Sequence, residues 1–176
     1  MSKKLDVLIP VFNEDQEIIK TLEYLLDNVK CNYDLNICYD YDEDPTLVII
    51  KKKFPNNSKI KFIKNNSKGF NQALITAIKK TDSDAVMIYM ADDHENFNLV
   101  DTCFEKLNEG FDLVCPIRLV KGGKMEGNPI LKEILTRLAS FFFQYFTTMP
   151  IKDCTNSFKL FSKKFLKKIE QYESNK

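Results

Sequence analysis

Asp6-Val7-Leu8-Ile9-Pro10-Val11-Phe12-Asn13-Glu14 is the stretch that decides the fold. Its apolar residues form one short run closed by a polar pair, the pattern of a strand covered on both faces. Asn13 followed by Gln16 predicts a capping box, and Ile18, Ile19, Leu22, Leu25, Leu26 and Val29 then recur at helical spacing. A buried strand that feeds a helix is the first half of a parallel crossover, and the chain repeats the unit. Leu35–Tyr39 reads as a strand, 40–44 as an acidic loop, Pro45–Phe54 as a helix, Lys61–Lys64 as a strand, Gly69–Lys80 as a helix and Ala85–Met90 as a strand. This alternation predicts an α/β fold, Rossmann-like, with a mostly parallel central sheet flanked by helices.

Past Met90 the sequence predicts a polar break at 92–96, a helix to about Asn108, a strand Phe111–Ile117 and a loop holding Gly122, Gly123 and Gly127. Pro129 opens a long helix, Ile130–Thr147; Asp153–Phe161 reads as extended and Lys163–Tyr172 as a last helix. With no repeat, low-complexity tract or linker, residues 1–176 read as a single domain, and 176 residues supply one core but not two comfortable ones. A net charge of +1 excludes a polycation that coats nucleic acid. The charge is nevertheless divided: residues 1–115 carry 14 Lys and Arg against 20 Asp and Glu, and residues 116–176 carry 12 against 5. Five cysteines, odd in number and without a CxxC pair, argue against a disulfide framework or a Cys-rich zinc site. Met1-Ser2-Lys3-Lys4 opens no signal peptide, so the expected compartment is the reducing cytoplasm. The most apolar stretch, Leu138–Phe143, is far short of the roughly 20 residues that cross a bilayer.

In an open parallel sheet, ligands bind beyond the carboxyl ends of the strands. Those ends are acidic here: Asn13-Glu14 after the first strand, Asp40, Asp42 and Asp44 after the second, Asp92-Asp93-His94-Glu95 after the fourth. Three such clusters on one edge repel unless a cation or polar ligand compensates them; the competing reading is that they are solvated loop and cap residues. If the fourth cluster is extended, Asp92 and His94 project to one side and Asp93 and Glu95 to the other. A carboxylate beside an imidazole, with room for phosphate oxygens and water, suits Mg²⁺ or Mn²⁺. No GxGxxG follows the first strand and no GxxxxGK[ST] occurs, so a metal at Asp92 is the natural phosphate anchor.

Ile9-Pro10-Val11-Phe12-Asn13-Glu14, Tyr39-Asp40, Asp44-Pro45-Thr46, Lys68-Gly69-Phe70-Asn71-Gln72-Ala73, Ala91-Asp92, residues 118–127 and Asp153-Cys154-Thr155-Asn156-Ser157-Phe158-Lys159 stand in the order found in family 2 glycosyltransferases. The series most resembles the dolichol-phosphate mannose synthase-like branch and covers about Leu5 to Ile169. The resemblance implies a GT-A fold and inverting transfer from a nucleotide sugar of the GDP-mannose or UDP-hexose type. It further implies a divalent metal, Mg²⁺ or Mn²⁺, and a polyprenyl or dolichyl phosphate acceptor at a membrane surface. By the family pattern Pro10, Phe12 and Glu14 would line the nucleoside pocket, with Asp40 at the base and Gly69 allowing close backbone approach. Asp92 would be the catalytic metal holder with His94 beside it, and Arg118, Lys132 and Thr136 would take the acceptor phosphate.

Two departures stand out. Met90 occupies the position where the family's DxD begins with Asp, and His94 stands where Gln is usual. Family members continue past the position of Ile169 with a strand and a basic segment, so the chain reads as a fragment or a naturally short member lacking that C-terminal part. Two other functions stay open: a GT-A transferase acting on a sugar hydroxyl in cell-surface glycan synthesis, with Asp93 or Asp153 as base, and a non-catalytic nucleotide-sugar-binding domain. In the basic rear half, Lys163, Lys164, Lys167 and Lys168 read as the solvated face of a helix, whereas Arg118, Lys121 and Lys124 flank a Gly-rich loop suited to an anion. Phe141-Phe142-Phe143, Tyr145 and Phe146 read as core, or in part as a lipid-facing surface that would make the protein peripheral on the cytoplasmic face.

Overall fold

The structure is a computed structural model that describes residues 3–117, 130–146, 153 and 156–174. Its strands are β1 (Leu5–Pro10), β2 (Tyr33–Tyr39), β3 (Ile60–Lys64), β4 (Ala85–Ile88), β5 (Leu113–Val114) and β6 (Lys159–Ser162). Its helices are α1 (Glu17–Asn28), α2 (Pro45–Lys53), α3 (Phe70–Lys80), α4 (Asn98–Asn108), α5 (Ile130–Phe146) and α6 (Lys163–Ser174). They form one six-stranded sheet in the order β3-β2-β1-β4-β6-β5. β1 pairs in parallel with β2 and with β4, and β2 with β3, while β6 runs antiparallel to both β4 and β5.

Every residue of β1 is buried, as its unbroken apolar run requires. Leu5, Val7 and Ile9 face one layer with Leu22 and Leu25 of α1, Leu47 and Ile50 of α2, and Val100 and Phe104 of α4. Leu8 faces the other with Ala73, Leu74 and Ala77 of α3 and Leu166 of α6. The result is helix, sheet, helix, the architecture expected from the sequence. At the amino ends of the strands, buried Asp34 is held by Lys4 and Lys61, and Asp6 accepts from Asn36 Nδ2 at 2.9 Å.

The chain leaves β1 and β2 in the same direction, and Asp44 ties the two exits together. Its wholly buried carboxylate accepts from Thr46 N at 2.9 Å, which caps α2, and from Asn13 N at 3.1 Å, which fixes the segment after β1. Thr46 adds a second tie, its hydroxyl accepting from Glu14 N at 2.8 Å. The predicted capping box at Asn13 and Gln16 is absent. Asn13 sits at φ 53° with its N–H given to Asp44, Gln16 caps nothing, and Asp15 Oδ1 accepts from Glu17 N at 2.9 Å instead.

Four further expectations are corrected. β4 stops at Ile88, two residues early, because Met90 carries the carbonyl of a turn closed by Asp93 N at 3.2 Å. The strand expected over 111–117 keeps only Leu113–Val114, and the extended stretch before α6 is a strand only over Lys159–Ser162. Lys163 is only partly exposed: its Nζ donates to the carbonyls of Ile78 at 2.9 Å and Thr81 at 2.6 Å, binding α6 to the end of α3.

Asp44→Ala should destabilise the fold by roughly 2 kcal/mol, the sum expected for a lost helix cap and an unpaired Asn13 N–H, and Asp44→Asn, which keeps one acceptor, by less than half of that. Chemical denaturation of the two variants beside the parent measures the difference.

Candidate functional site

β1 lies between β2, which follows it in sequence, and β4, which returns to its other side, so the strand order reverses at β1. A crevice opens at the carboxyl ends of strands where that happens. A cavity of about 740 Å³ occupies this place, lined by Pro10, Val11, Phe12 and Glu14 after β1, Asp40 and Tyr41 after β2, Lys68, Gly69, Phe70 and Ala73 at the start of α3, and Met90 after β4. Five residues expected from the sequence to bind the nucleotide sugar, Pro10, Phe12, Glu14, Asp40 and Gly69, therefore line one cavity.

The aromatic part of the lining is exposed. Phe12 is 62% and Phe70 45% accessible, and Phe12 meets Tyr41 edge to face at 5.9 Å. Tyr41 in turn donates to Asn13 Oδ1. Large rings left in water beside a cleft offer stacking surface for a flat ligand. The sequence reading assigns no role to Tyr41, and Phe70 enters it only as part of the motif around Gly69, although each follows directly on a residue given a role. Gly69 caps α3 at φ 97°, a backbone region costly for other residues, while an added Cβ would meet nothing within 4 Å; the glycine is demanded by conformation, not by crowding.

The acidic clusters resolve into different tasks. Asp40 accepts from Gly69 N and from Asn65 Nδ2, both at 2.8 Å, so among the described residues hydrogen bonds and no ion pair hold it at the cavity wall. Asp42 pairs with Lys64, and Asp44 is the brace described above. Burial raises the pKa of Glu14 above the ordinary carboxylate range; a backbone hydrogen bond at Phe12 opposes this, and the charges of Asp92, Asp15 and Asp44 add to it.

The segment after β4 is a turn, not the extended run expected, so the predicted alternation of side chains fails. Asp93 folds back as a cap, Oδ1 accepting from Glu95 N at 3.1 Å and Asn96 N at 3.0 Å and Oδ2 from Asn96 Nδ2 at 2.7 Å. His94 points at α1, its Nε2 lying 3.2 Å from the Glu17 carbonyl and 3.5 Å from Glu17 Oε2. Asp92 is left exposed at the tip, on a turn pinned by the Thr21 hydroxyl to Ala91 O at 2.6 Å and by the Tyr89 hydroxyl to Asp93 O at 3.1 Å. Among the described residues no three His, Cys, Asp or Glu side chains form a complete ligand set. Asp92 is exposed, its charge reaches Glu14, and its carboxylate offers the oxygen donors that a hard divalent cation would need.

Because β6 is antiparallel and its Lys159 pairs with Ile88, the residues before β6 reach the same edge as those after β4. Phe158 packs edge to face on Tyr89 at 5.4 Å, and buried Asn156 donates to Pro116 O at 2.9 Å. Asp153 is wholly buried. Arg118, Lys121 and Lys124 lie outside the described residues; Lys132 and Thr136 fall within α5, and their side chains lie outside the description. Along α5 Leu135, Leu138, Phe141, Phe142, Tyr145 and Phe146 are all more than half exposed, so this face is not core.

The family model described as Glycosyl transferase family 2 matches residues 6–170. Among curated relatives, the dolichol-phosphate mannosyltransferase of Pyrococcus furiosus is 27% identical over 140 residues, covering 76% of this chain and 38% of that protein. Chondroitin synthase of Escherichia coli is 25% identical over 126 residues, covering 72% of this chain and 18% of that one. The chain thus spans well under two thirds of their length. Among solved structures, glucosyl-3-phosphoglycerate synthase of Mycobacterium tuberculosis in complex with Mn²⁺, UDP-glucose and phosphoglyceric acid superposes with a TM-score of 0.67 at 17% identity, over 92% of this chain and 57% of that one, a likeness of fold.

Since the folded pKa of Glu14 is raised, its contribution to stability is present at acid pH and is lost as the pH rises through the folded value. Glu14→Gln should therefore raise the thermal midpoint at pH 7, and the gain should shrink as the pH falls toward about 4. Melting curves of both proteins across that range measure it.

Proposed function

The chain belongs to glycosyl transferase family 2, and from that premise we propose that it is a transferase moving a sugar, with inversion, from a nucleotide sugar of the GDP-mannose or UDP-hexose type to a polyprenyl phosphate. The observation that carries the proposal is the cavity at the strand ends, where Pro10, Phe12, Glu14, Asp40 and Gly69 come together although the sequence scatters them over 60 positions. In this reading the base lies among the rings of Phe12, Tyr41 and Phe70, Asp40 accepts from its N–H groups, and the diphosphate runs toward Asp92.

Asp92 is the proposed metal holder, with His94 as the weaker candidate because its ring nitrogen already faces Glu17. The donor chemistry fits Mg²⁺ or Mn²⁺, and the Mn²⁺ of the Mycobacterium tuberculosis enzyme of the same fold supports it. When bound, such a cation would stabilise the negative charge that develops on the leaving nucleoside diphosphate. A polyprenyl phosphate is already an anion at neutral pH, so the protein has to position it and need not deprotonate it. Arg118, Lys132 and Thr136 are proposed for that contact.

Support for a lipid acceptor comes from the likeness to a dolichol-phosphate mannosyltransferase, the basic balance of residues 116–176 and the exposed apolar face of α5. Among the described residues no helix is long and apolar enough to cross a membrane. Contact in this reading is peripheral, on the cytoplasmic face, with each basic side chain near an anionic surface adding on the order of 1 kcal/mol. The likeness to chondroitin synthase favours a second reading, transfer to a sugar hydroxyl. Asp93, whose carboxylate also serves as a cap, and the wholly buried Asp153 are then the candidate bases.

Incubation with radiolabelled nucleotide sugars, Mn²⁺ and polyprenyl phosphate tests the proposal: label should enter an organic-extractable product. Label confined to a water-soluble glycan would favour the second reading, and binding without transfer would leave a nucleotide-sugar-binding domain. Asp92→Ala should abolish Mn²⁺-dependent binding of a nucleoside diphosphate and His94→Ala weaken it less; equal binding by Asp92→Ala and the parent sinks the metal assignment. Asp40→Asn should cost about 1–3 kcal/mol of nucleotide affinity by calorimetry. Arg118→Ala should stop lipid-linked transfer while nucleotide binding stays intact, and transfer at the parent rate would eliminate that acceptor site.

A further inference from the structure

We propose that Asn65 is a positioning residue for base recognition, holding the Asp40 carboxylate in a fixed orientation at the cavity wall. The proposal rests on the nucleoside reading of the cavity. Asn65 follows β3, is 6% exposed and is not among the lining residues, so whatever it does for a ligand it does through a neighbour.

Its backbone N–H and both ends of its side-chain amide are engaged. The backbone N–H donates to Tyr39 O at 2.8 Å, Nδ2 donates to Asp40 Oδ1 at 2.8 Å, and Oδ1 accepts from Ser67 N at 3.2 Å and from the Thr76 hydroxyl at 3.0 Å. One buried amide thus joins the end of β2, the loop leading to Gly69 and helix α3. Gly69 N closes the ring by donating to Asp40 Oδ2 at 2.8 Å.

Asparagine is the side chain this junction calls for. A single planar group must donate toward a carboxylate and accept from two donors on the opposite side. Aspartate would set two carboxylates against each other, and an apolar residue would leave the Ser67 N–H and the Thr76 hydroxyl without their acceptor. With one donor on each oxygen, Asp40 cannot turn about its side-chain bonds without breaking two hydrogen bonds, yet each oxygen retains capacity for another. A carboxylate fixed in this way requires N–H donors at set places on the base. One free to rotate would adapt to several bases and discriminate among them less, because it would also lose more entropy on ordering.

Calorimetry with UDP, GDP, CDP, ADP and inorganic pyrophosphate, each with Mn²⁺, tests the role on the parent, Asn65→Asp and Asn65→Ala. Asn65→Asp is isosteric and keeps the acceptor for Ser67 and Thr76, so it alters chiefly the bond to Asp40; Asn65→Ala removes the whole junction. Both should lower affinity for the preferred nucleotide by roughly tenfold and narrow the spread among the four bases, while pyrophosphate binds as it does to the parent. Unchanged base preference in Asn65→Asp would overturn the proposal. So would a parallel loss of nucleotide and pyrophosphate in both variants, which would make Asn65 a structural residue only. A parent that binds every nucleotide no better than pyrophosphate would instead remove the nucleoside cavity itself, and this role with it.

Discussion

A single buried carboxylate holds the site together. Asp44 gives one oxygen to the start of α2 and the other to the amide of Asn13, so the loops that leave β1 and β2 cannot part. Two sides of the cavity follow from that tie: Phe12 and Glu14 are presented from one loop, Asp40 and Tyr41 from the other, and the cavity lies between them. A buried charge accepting hydrogen bonds from two backbone amides is stable in a way that an unpaired one is not, which is why it can serve as a joint.

The same logic divides the other carboxylates. Those that meet backbone amides or lysines, such as Asp93 with Glu95 and Asn96 or Asp34 with Lys4 and Lys61, are occupied by structure. Glu14 has less compensation: burial, with a smaller push from the charges of Asp92, Asp15 and Asp44, raises its pKa. Acidic clusters that look alike as strings of letters therefore separate, once folded, into braces and into side chains left at the cavity or on the surface.

How much of this the sequence could disclose depends on the range of the interactions. The buried run of β1 and the helical spacing of α1 and α3 are local patterns, and they foretell the sheet and the edge where a ligand would sit. Asn13 defeats the capping rule because its amide is captured by Asp44, 31 positions away. The alternation expected over residues 92–95 fails for a local reason that residue types alone do not fix, a turn closed between Met90 and Asp93 and then capped by Asp93. Asn65 is invisible in sequence, since its meaning lies in a bond to Asp40 across two strands. Pro10, Phe12, Glu14, Asp40 and Gly69 were named in advance through a family likeness, and their meeting at one cavity is what the folded chain adds.

The position of β6 has a consequence for how the molecule is made. Strands β1 to β3 can associate soon after synthesis, but β4 pairs with a strand whose partner residues run to Ser162, more than 70 positions after Ile88. At about 5–20 residues per second, the free edge of β4 would wait roughly 4–15 s during translation for its partner. Throughout that interval a buried-type strand offers unpaired amides and carbonyls to any other extended chain, so the nascent polypeptide is most exposed to mispairing and most in need of a chaperone beside the very strand that leads to Asp92.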